Sequence, residues 1–361
     1  MSFRKPAAGG PSDPNKLQLA QSITCHAWNS DYTRLALCPN TKEVWIFKKD
    51  GTNWVIEHKL AEHDQVVTGI DWAPKTNRIV TCGQDRNAYV WTSENGVWKP
   101  TLVILRINRA ATDVKWSPNE DKFAVASGAK CVSVCYFEKD NDWWVSKHIK
   151  KHKSTVLSID WHPNNVLLAT ASSDFNARVF SGFVRGVDKK PGETPYGTRL
   201  PFGELLAEYP SAGWVKCVRW SPSGNQLAFV SHDSSVTVMD AASGTPSVIK
   251  LRGLPMNGVV WVGETTIVAG GHDCFPHSYT KGGDGWVLGR NLDERKGPAQ
   301  KQTTSTRAAF NMFQSKVETG QKQNKTALQT KHQNQIGDIN LFEGTRVSTS
   351  GLDGKICLWD V

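Results

Sequence analysis

One unit recurs along this chain: an apolar residue, one spacer, a tryptophan, then a small or polar residue and often a proline. It reads Ile70-Asp71-Trp72-Ala73-Pro74, Val114-Lys115-Trp116-Ser117-Pro118, Ile159-Asp160-Trp161-His162-Pro163 and Val218-Arg219-Trp220-Ser221-Pro222, with weaker copies at His26-Ala27-Trp28 and Val259-Val260-Trp261. The six tryptophans lie 44, 44, 45, 59 and 41 residues apart. Residues i and i+2 share one face of a β-strand, so the apolar residue and the tryptophan enter one core and the proline ends the strand. A second apolar run follows, such as Ile79-Val80-Thr81-Cys82 or Val166-Leu167-Leu168-Ala169-Thr170, and then an aspartate turn. Asp85, Asp174 and Asp233 each fall 13 residues after their tryptophan and Asp273 falls 12 after Trp261. A third strand comes next, as in Asn87–Trp91, Ala177–Phe180, Val236–Asp240 and Ile356–Asp360, and only the last carries a Trp-Asp pair.

A period of about 40–45 residues built from short strands is that of WD-repeat propeller blades, which bury their faces only by stacking around a ring. The spacing predicts an all-β, seven-bladed WD-repeat β-propeller. Its seventh unit runs from His332 through Asp353 to Asp360, and Val361 follows before a fourth strand can form. Leu17-Gln18-Leu19-Ala20-Gln21-Ser22-Ile23 is the natural supplier of that strand, which would hide an aggregation-prone edge. The expected organisation is a flexible tail over 1–16 and a propeller over 17–361 closed by its N-terminal strand.

Catalytic signatures are missing from this framework: there is no glycine-rich phosphate loop, no G-x-S-x-G turn and no H-E-x-x-H helix. An enzymatic propeller would aim carboxylates or histidines at a metal in its channel, whereas the expected inner strands offer mainly Val, Ile, Gly, Ala and Ser with scattered charges. No enzyme activity, metal or cofactor is therefore expected. The eight cysteines form no C-x-x-C pair, which favours buried free thiols over a disulfide or zinc framework. No apolar run approaches the ~18–20 residues of a membrane span, and Met1-Ser2-Phe3-Arg4-Lys5-Pro6 lacks the apolar core of a signal peptide, so an intracellular location is expected.

Three histidines precede the turn aspartates by 21 or 22 residues: His63 with Asp85, His152 with Asp174, and His332 with Asp353. A catalytic reading would take them as acid–base pairs. The structural reading joins each pair to a strand threonine and the third-strand tryptophan, as with Thr81 and Trp91 or with Trp359, because four such groups satisfy one another when buried. The structural reading is preferred.

Charge lies unevenly. The chain has 43 Lys+Arg against 34 Asp+Glu, a net charge of +9. One dense basic run, Lys147-His148-Ile149-Lys150-Lys151-His152-Lys153, is placed on a loop entering the fourth blade. Nothing like the aromatic-and-basic pattern of nucleic-acid binding accompanies it.

Two interruptions break the period. Ser181 to Pro210 is read as a surface excursion whose Leu200, Phe202, Leu205 and Leu206 pack on the rim. Between the sixth and seventh units, Asp273 and Asp353 are 80 residues apart, so about 36 residues are inserted against the blade period. Over 290–331 nine Lys/Arg face three acids, two-thirds of the chain's net charge. Within this basic, partly disordered insert a short helix over 305–317 is expected after the cap candidates Thr304 and Ser305, placing Phe310, Phe313 and Val317 on one face. A helix this short is marginal alone and folds when a groove buries its aromatic face.

Longer runs carry a particular likeness. Asp85–Trp91, Lys99–Ala111, Trp116–Val125, Asn141–Val145, Trp161–Ala169 and Gly271–Pro276 resemble the WD-repeat subunit of the actin-related protein 2/3 complex, and the resemblance spans nearly the whole chain. It implies a non-catalytic scaffold that supports nucleation of branched actin filaments. The implied partners are the actin-related proteins and other subunits, the mother filament and nucleation-promoting factors, with no nucleic acid, and the implied location is the cytoplasmic actin cytoskeleton at the cell cortex, actin patches or lamellipodia. The family's insert helix reaches toward the mother filament, and Arg307, Phe310, Met312, Phe313 and Val317 occupy the matching position. The alternative is a generic WD-repeat adaptor, such as a ubiquitin-ligase or chromatin scaffold, whose insert would be dispensable.

Overall fold

The computed structural model describes residues 15–283, 285–294 and 328–361. These residues form 28 strands in seven four-stranded antiparallel sheets. Each repeat tryptophan ends the innermost strand of a blade, as in Val67–Trp72, Ala111–Trp116, Val156–Trp161, Val215–Trp220 and Met256–Trp261. The inner strands touch one another in cyclic order, the seventh (Ile336–Phe342) against the first (Cys25–Trp28), so the sheets form a propeller.

Apolar burial follows the same geometry. The core is divided into seven clusters, one at each blade junction. Val80, Ala88 and Val90 of the second blade pack on Ala111, Val114 and Trp116 of the third, for example. No blade buries its faces by itself, which is the physical reason the unit must repeat.

The seventh sheet is composite: Lys16–Gln18 pairs antiparallel with Lys355–Asp360 in the register Lys16 with Cys357 and Gln18 with Lys355. The ladder is shorter than the seven-residue segment read from the sequence and starts one residue earlier. After Gln18 the chain turns inward, with the amides of Leu19 and Ala20 both donating to the Gly354 carbonyl at 3.1 and 3.2 Å. Leu17, Leu19, Ala20 and buried Ile23 then join the cluster between the seventh and first blades.

The excursion after Ser181 is fastened to the rim. Leu200 is buried and Leu206 half-buried in the cluster joining the fourth and fifth blades, and Phe202 packs on the preceding one. Leu205 differs from the expectation: it begins the outer strand Leu205–Pro210 and is 38% exposed, because its pleat faces away from the core. The excursion also sends in Asp188, which pairs with fully buried Lys122 of the third blade and accepts hydrogen bonds from Asn165 Nδ2 (2.8 Å) and the Val184 amide (2.7 Å). The basic run at 147–153 is not one loop. Trp143–Ile149 is an outer strand, Lys147 lies over Tyr136 and Phe202, and His152 is buried.

Arg290 and Asn291 still belong to the outer strand Gly285–Asn291 of the sixth blade. The helix expected over 305–317, with Arg307, Phe310, Met312, Phe313 and Val317, lies outside the described residues.

Candidate interaction site

In the second blade the polar residues form a continuous chain. Asp85 can only accept, so His63 Nδ1 donates to it (2.7 Å), while Nε2 is hydrogen-bonded to the Thr81 hydroxyl (2.8 Å), whose oxygen accepts from Trp91 Nε1 (3.0 Å). The seventh blade repeats it with His332, Asp353, Thr349 and Trp359 at 3.1, 2.7 and 2.8 Å. Burial pushes the Asp353 carboxyl up, but the hydrogen bond and charge of His332, the Gln333 amide and Lys355 outweigh it and hold the group down at about 2. An imidazole with both ring nitrogens hydrogen-bonded in this way has neither left over for catalysis or a metal.

The fourth blade breaks the pattern. Asp174 is claimed by Arg178, whose Nη1 meets both carboxylate oxygens at 2.9 Å, so His152 and Asp174 are not hydrogen-bonded to each other. Phe180 stands where the second and seventh blades have tryptophan, and His152 Nδ1 has no partner among the described residues. Burial, then the Arg178 charge, push His152 down to about 4. The unfolded chain, with histidine near ~6.5, therefore takes up a proton that the native state refuses, and the stability given by neutral His152 is full above pH 6.5 and lost as pH falls toward 4. We expect that lowering the pH from 7 to 4.5 costs the parent about 2–3 kcal/mol more unfolding free energy than it costs His152→Leu, measured by urea titration of both.

Charges on the inner strands are organised rather than scattered, contrary to the sequence reading. Asp71, Asp113, Asp160 and Asp338 each accept a backbone amide of the next blade, from Trp116 (2.8 Å), Ile159 (3.0 Å), Trp220 (2.7 Å) and His26 (3.1 Å). Thr24, Thr68 and Thr112 donate to the carbonyls of Val67, Ala111 and Val156, again one blade on. Lys115 pairs with Asp71 at 3.2 Å, and Arg219 donates to Ser158 Oγ and the Ile159 carbonyl. Burial is the largest influence on Asp160 and pushes it up to about 6. These side chains sew blade to blade around the channel. Sequence reasoning missed them because the aspartates keep no common offset: Asp71 and Asp160 lie one residue before their tryptophan, Asp113 lies three before Trp116, and Asp338 stands in a strand without tryptophan. All eight cysteines are buried with free thiols, and among the described residues no His/Cys/Asp/Glu group has the arrangement of a metal site. No helix among them is long and apolar enough to cross a membrane.

The flanks of the large insert are fixed side by side. The Lys331 amide donates to Asp293 Oδ2 at 2.7 Å, Arg290 Nη2 donates to the Asp360 carbonyl at 2.9 Å, and Gln333 Nε2 donates to the Leu328 and Thr330 carbonyls at 3.0 and 2.6 Å. Segment 295–327 thus leaves and re-enters the ring at one point between the sixth and seventh blades. Anything it carries is presented from a rigid base.

Comparison with known proteins agrees with this architecture. The WD domain, G-beta repeat family matches residues 54–92, 143–181 and 203–240. The chain is 52% identical to actin-related protein 2/3 complex subunit 1A-A of Xenopus laevis over 353 residues, covering 95% of each chain. It is 46% identical to actin-related protein 2/3 complex subunit 1 of Schizosaccharomyces pombe, covering 92% of this chain and 95% of that one, and 44% identical to subunit 1A of Arabidopsis thaliana, covering 95% of each. A likeness of this depth, over 92–95% of the chain, places it in the family of actin-related protein 2/3 complex subunit 1.

Proposed function

We propose that the chain is a non-catalytic scaffold subunit of an actin-related protein 2/3 complex, holding other subunits in place while branched actin filaments are nucleated. The observation that carries this reading is the likeness over 95% of the chain to relatives named as subunit 1 of that complex. A ring sewn blade to blade supports a structural role. The His-Asp groups of the second and seventh blades are used up inside their own sheets, and its free surfaces are rims and loops. Immunoprecipitation of the tagged full chain from its own cells should recover two actin-related proteins in stoichiometric amounts; recovery of neither would overturn the proposal.

Within that role the insert is the element we assign to the mother filament. Its fixed base and its excess of nine basic over three acidic residues across 290–331 suit the acidic surface of a filament. Contacts with nucleation-promoting factors, and a location at the cortex, actin patches or lamellipodia, belong to the same proposal. Changing Phe310 and Phe313 to alanine should leave the thermal midpoint of the complex within a few degrees while lowering the number of branches several-fold in a reconstituted assay. Each buried phenylalanine is worth about 1.5–3 kcal/mol, so a large loss of fold stability would instead place both rings on the propeller itself.

A further inference from the structure

On the face of the ring that bears the aspartate turns, three segments meet: 105–110 enters the third blade, 128–131 joins that blade's middle strands, and 150–155 enters the fourth. The Gly128 amide donates to the Ala110 carbonyl at 2.9 Å, and a Cβ on Gly128 would stand 3.3 Å from Arg109 and 3.9 Å from Thr155. Together they carry Arg106, Arg109, Lys130, Lys150, Lys151 and Lys153, all exposed, and no acid. None of these six cationic groups takes part in an ion pair or a side-chain hydrogen bond among the described residues. The turn aspartate beside Lys153, Asp174, is already neutralised by Arg178. Six like charges gathered without a counterion repel one another, a cost that a negatively charged surface laid over them removes.

Apolar side chains rise from the same face. Phe175 sits in the aspartate turn of the fourth blade at φ +68°, a left-handed conformation that is strained for a bulky residue, and its ring is 46% exposed and enters none of the core clusters. Arg86, Lys130 and Ser234 hold the equivalent place in the second, third and fifth blades. The turn therefore requires positive φ but no ring. Trp214 and Leu254, in the segments entering the fifth and sixth blades, are 46% and 54% exposed. The Ser211 and His232 amides donate to the carbonyls of Phe175 (2.8 Å) and Trp214 (2.9 Å), and the His272 amide to that of Pro255 (3.1 Å), which sets these segments and turns side by side on one face. A folded protein partner needs a continuous apolar centre that excludes water, and three side chains on three blades do not supply one. A bilayer surface accepts them singly, since mobile headgroups close around each ring, and it spreads its negative charge over the width of the basic patch.

We infer that this face, from the third blade to the sixth, docks on an anionic membrane surface, with the six cations against the headgroups and Phe175, Trp214 and Leu254 in the interfacial layer. The inference goes beyond the scaffold role and does not rest on it, since binding is read on the chain alone and co-assembly separately.

The test is co-sedimentation of the full chain with vesicles of phosphatidylserine and phosphatidylcholine in equal parts, against vesicles of phosphatidylcholine alone. The chain should sediment with the first and not with the second, and less so as salt is raised. The double variant Lys150→Glu, Lys151→Glu should weaken binding about tenfold or more. Lys189→Glu, Lys190→Glu makes the same change of charge on the opposite face, beside His162 and Ser223, and should bind as the parent does. Phe175→Gly relieves the strained turn, so it should hold or raise the thermal midpoint and yet weaken binding about threefold. No preference for the anionic vesicles, or equal losses in the two lysine pairs, would overturn the inference. Capture on immobilised poly-glutamate without sedimentation on vesicles would give the face to an acidic polypeptide and overturn it as well.

Discussion

Asp188→Ala is expected to lower the unfolding free energy by about 3–5 kcal/mol, because it strands a buried ammonium. Lys122 is fully buried and Asp188 is its principal counterion, with the more exposed Asp121 farther off at 3.6 Å. The same substitution frees the Val184 amide and one bond of Asn165, and with them the root of the excursion after Ser181. Lys122 also lies over the Trp161 ring at 5.1 Å, so its movement toward water disturbs the junction between the third and fourth blades. The double variant Lys122→Met, Asp188→Leu removes both charges and should recover most of the loss. Urea unfolding of parent, single and double variants measures each term. Equal losses in the single and double variants would mean that the pair matters for its packing and not for its charge.

A comparable effect is expected from Gly354→Val, which should loosen the chain's first strand from its last. Gly354 has φ +74°, where a side chain is strained, and an added Cβ would fall 1.9 Å from the Ala20 carbonyl oxygen. No rotamer of a neighbour relieves an overlap with backbone, so residues 15–22 must leave or the turn must deform. The loss should be about 3 kcal/mol or more, with new proteolytic cleavage before Ile23. Gly344→Ala is the control: it has φ +65° with nothing within 4 Å of the added carbon, and it isolates the conformational cost of about 1 kcal/mol. If Gly354→Val costs no more than Gly344→Ala and no new cleavage appears, the N-terminal segment does not hold the ring shut.

The blades were legible in the sequence because strand, turn and tryptophan are local features repeated at one spacing. Trp72, Asp85 and Trp91 announce a sheet whichever neighbours they later acquire. The sewing of blade to blade was hidden because its bonds join residues nearly one period apart, such as Thr68 to Ala111 and Asp113 to Ile159, and periodicity shows only that equivalent positions exist. Asp174 illustrates a second limit. Its place in the repeat predicts a histidine partner, but Arg178, a single residue outside the motif, brings a stronger donor and takes the carboxylate.

The pairing of Lys16–Gln18 with Lys355–Asp360 also has a bearing on biosynthesis. Lys16–Gln18 is synthesised long before its partner Lys355–Asp360, so six sheets can assemble while the seventh waits. Until that partner appears, a nascent chain holds an apolar strip of Leu17, Leu19 and Ile23 uncovered. Demand for a chaperone should therefore last until Lys355–Asp360 has been made, and a chain stopped short of that strand should carry six sheets and yet be unable to become circular.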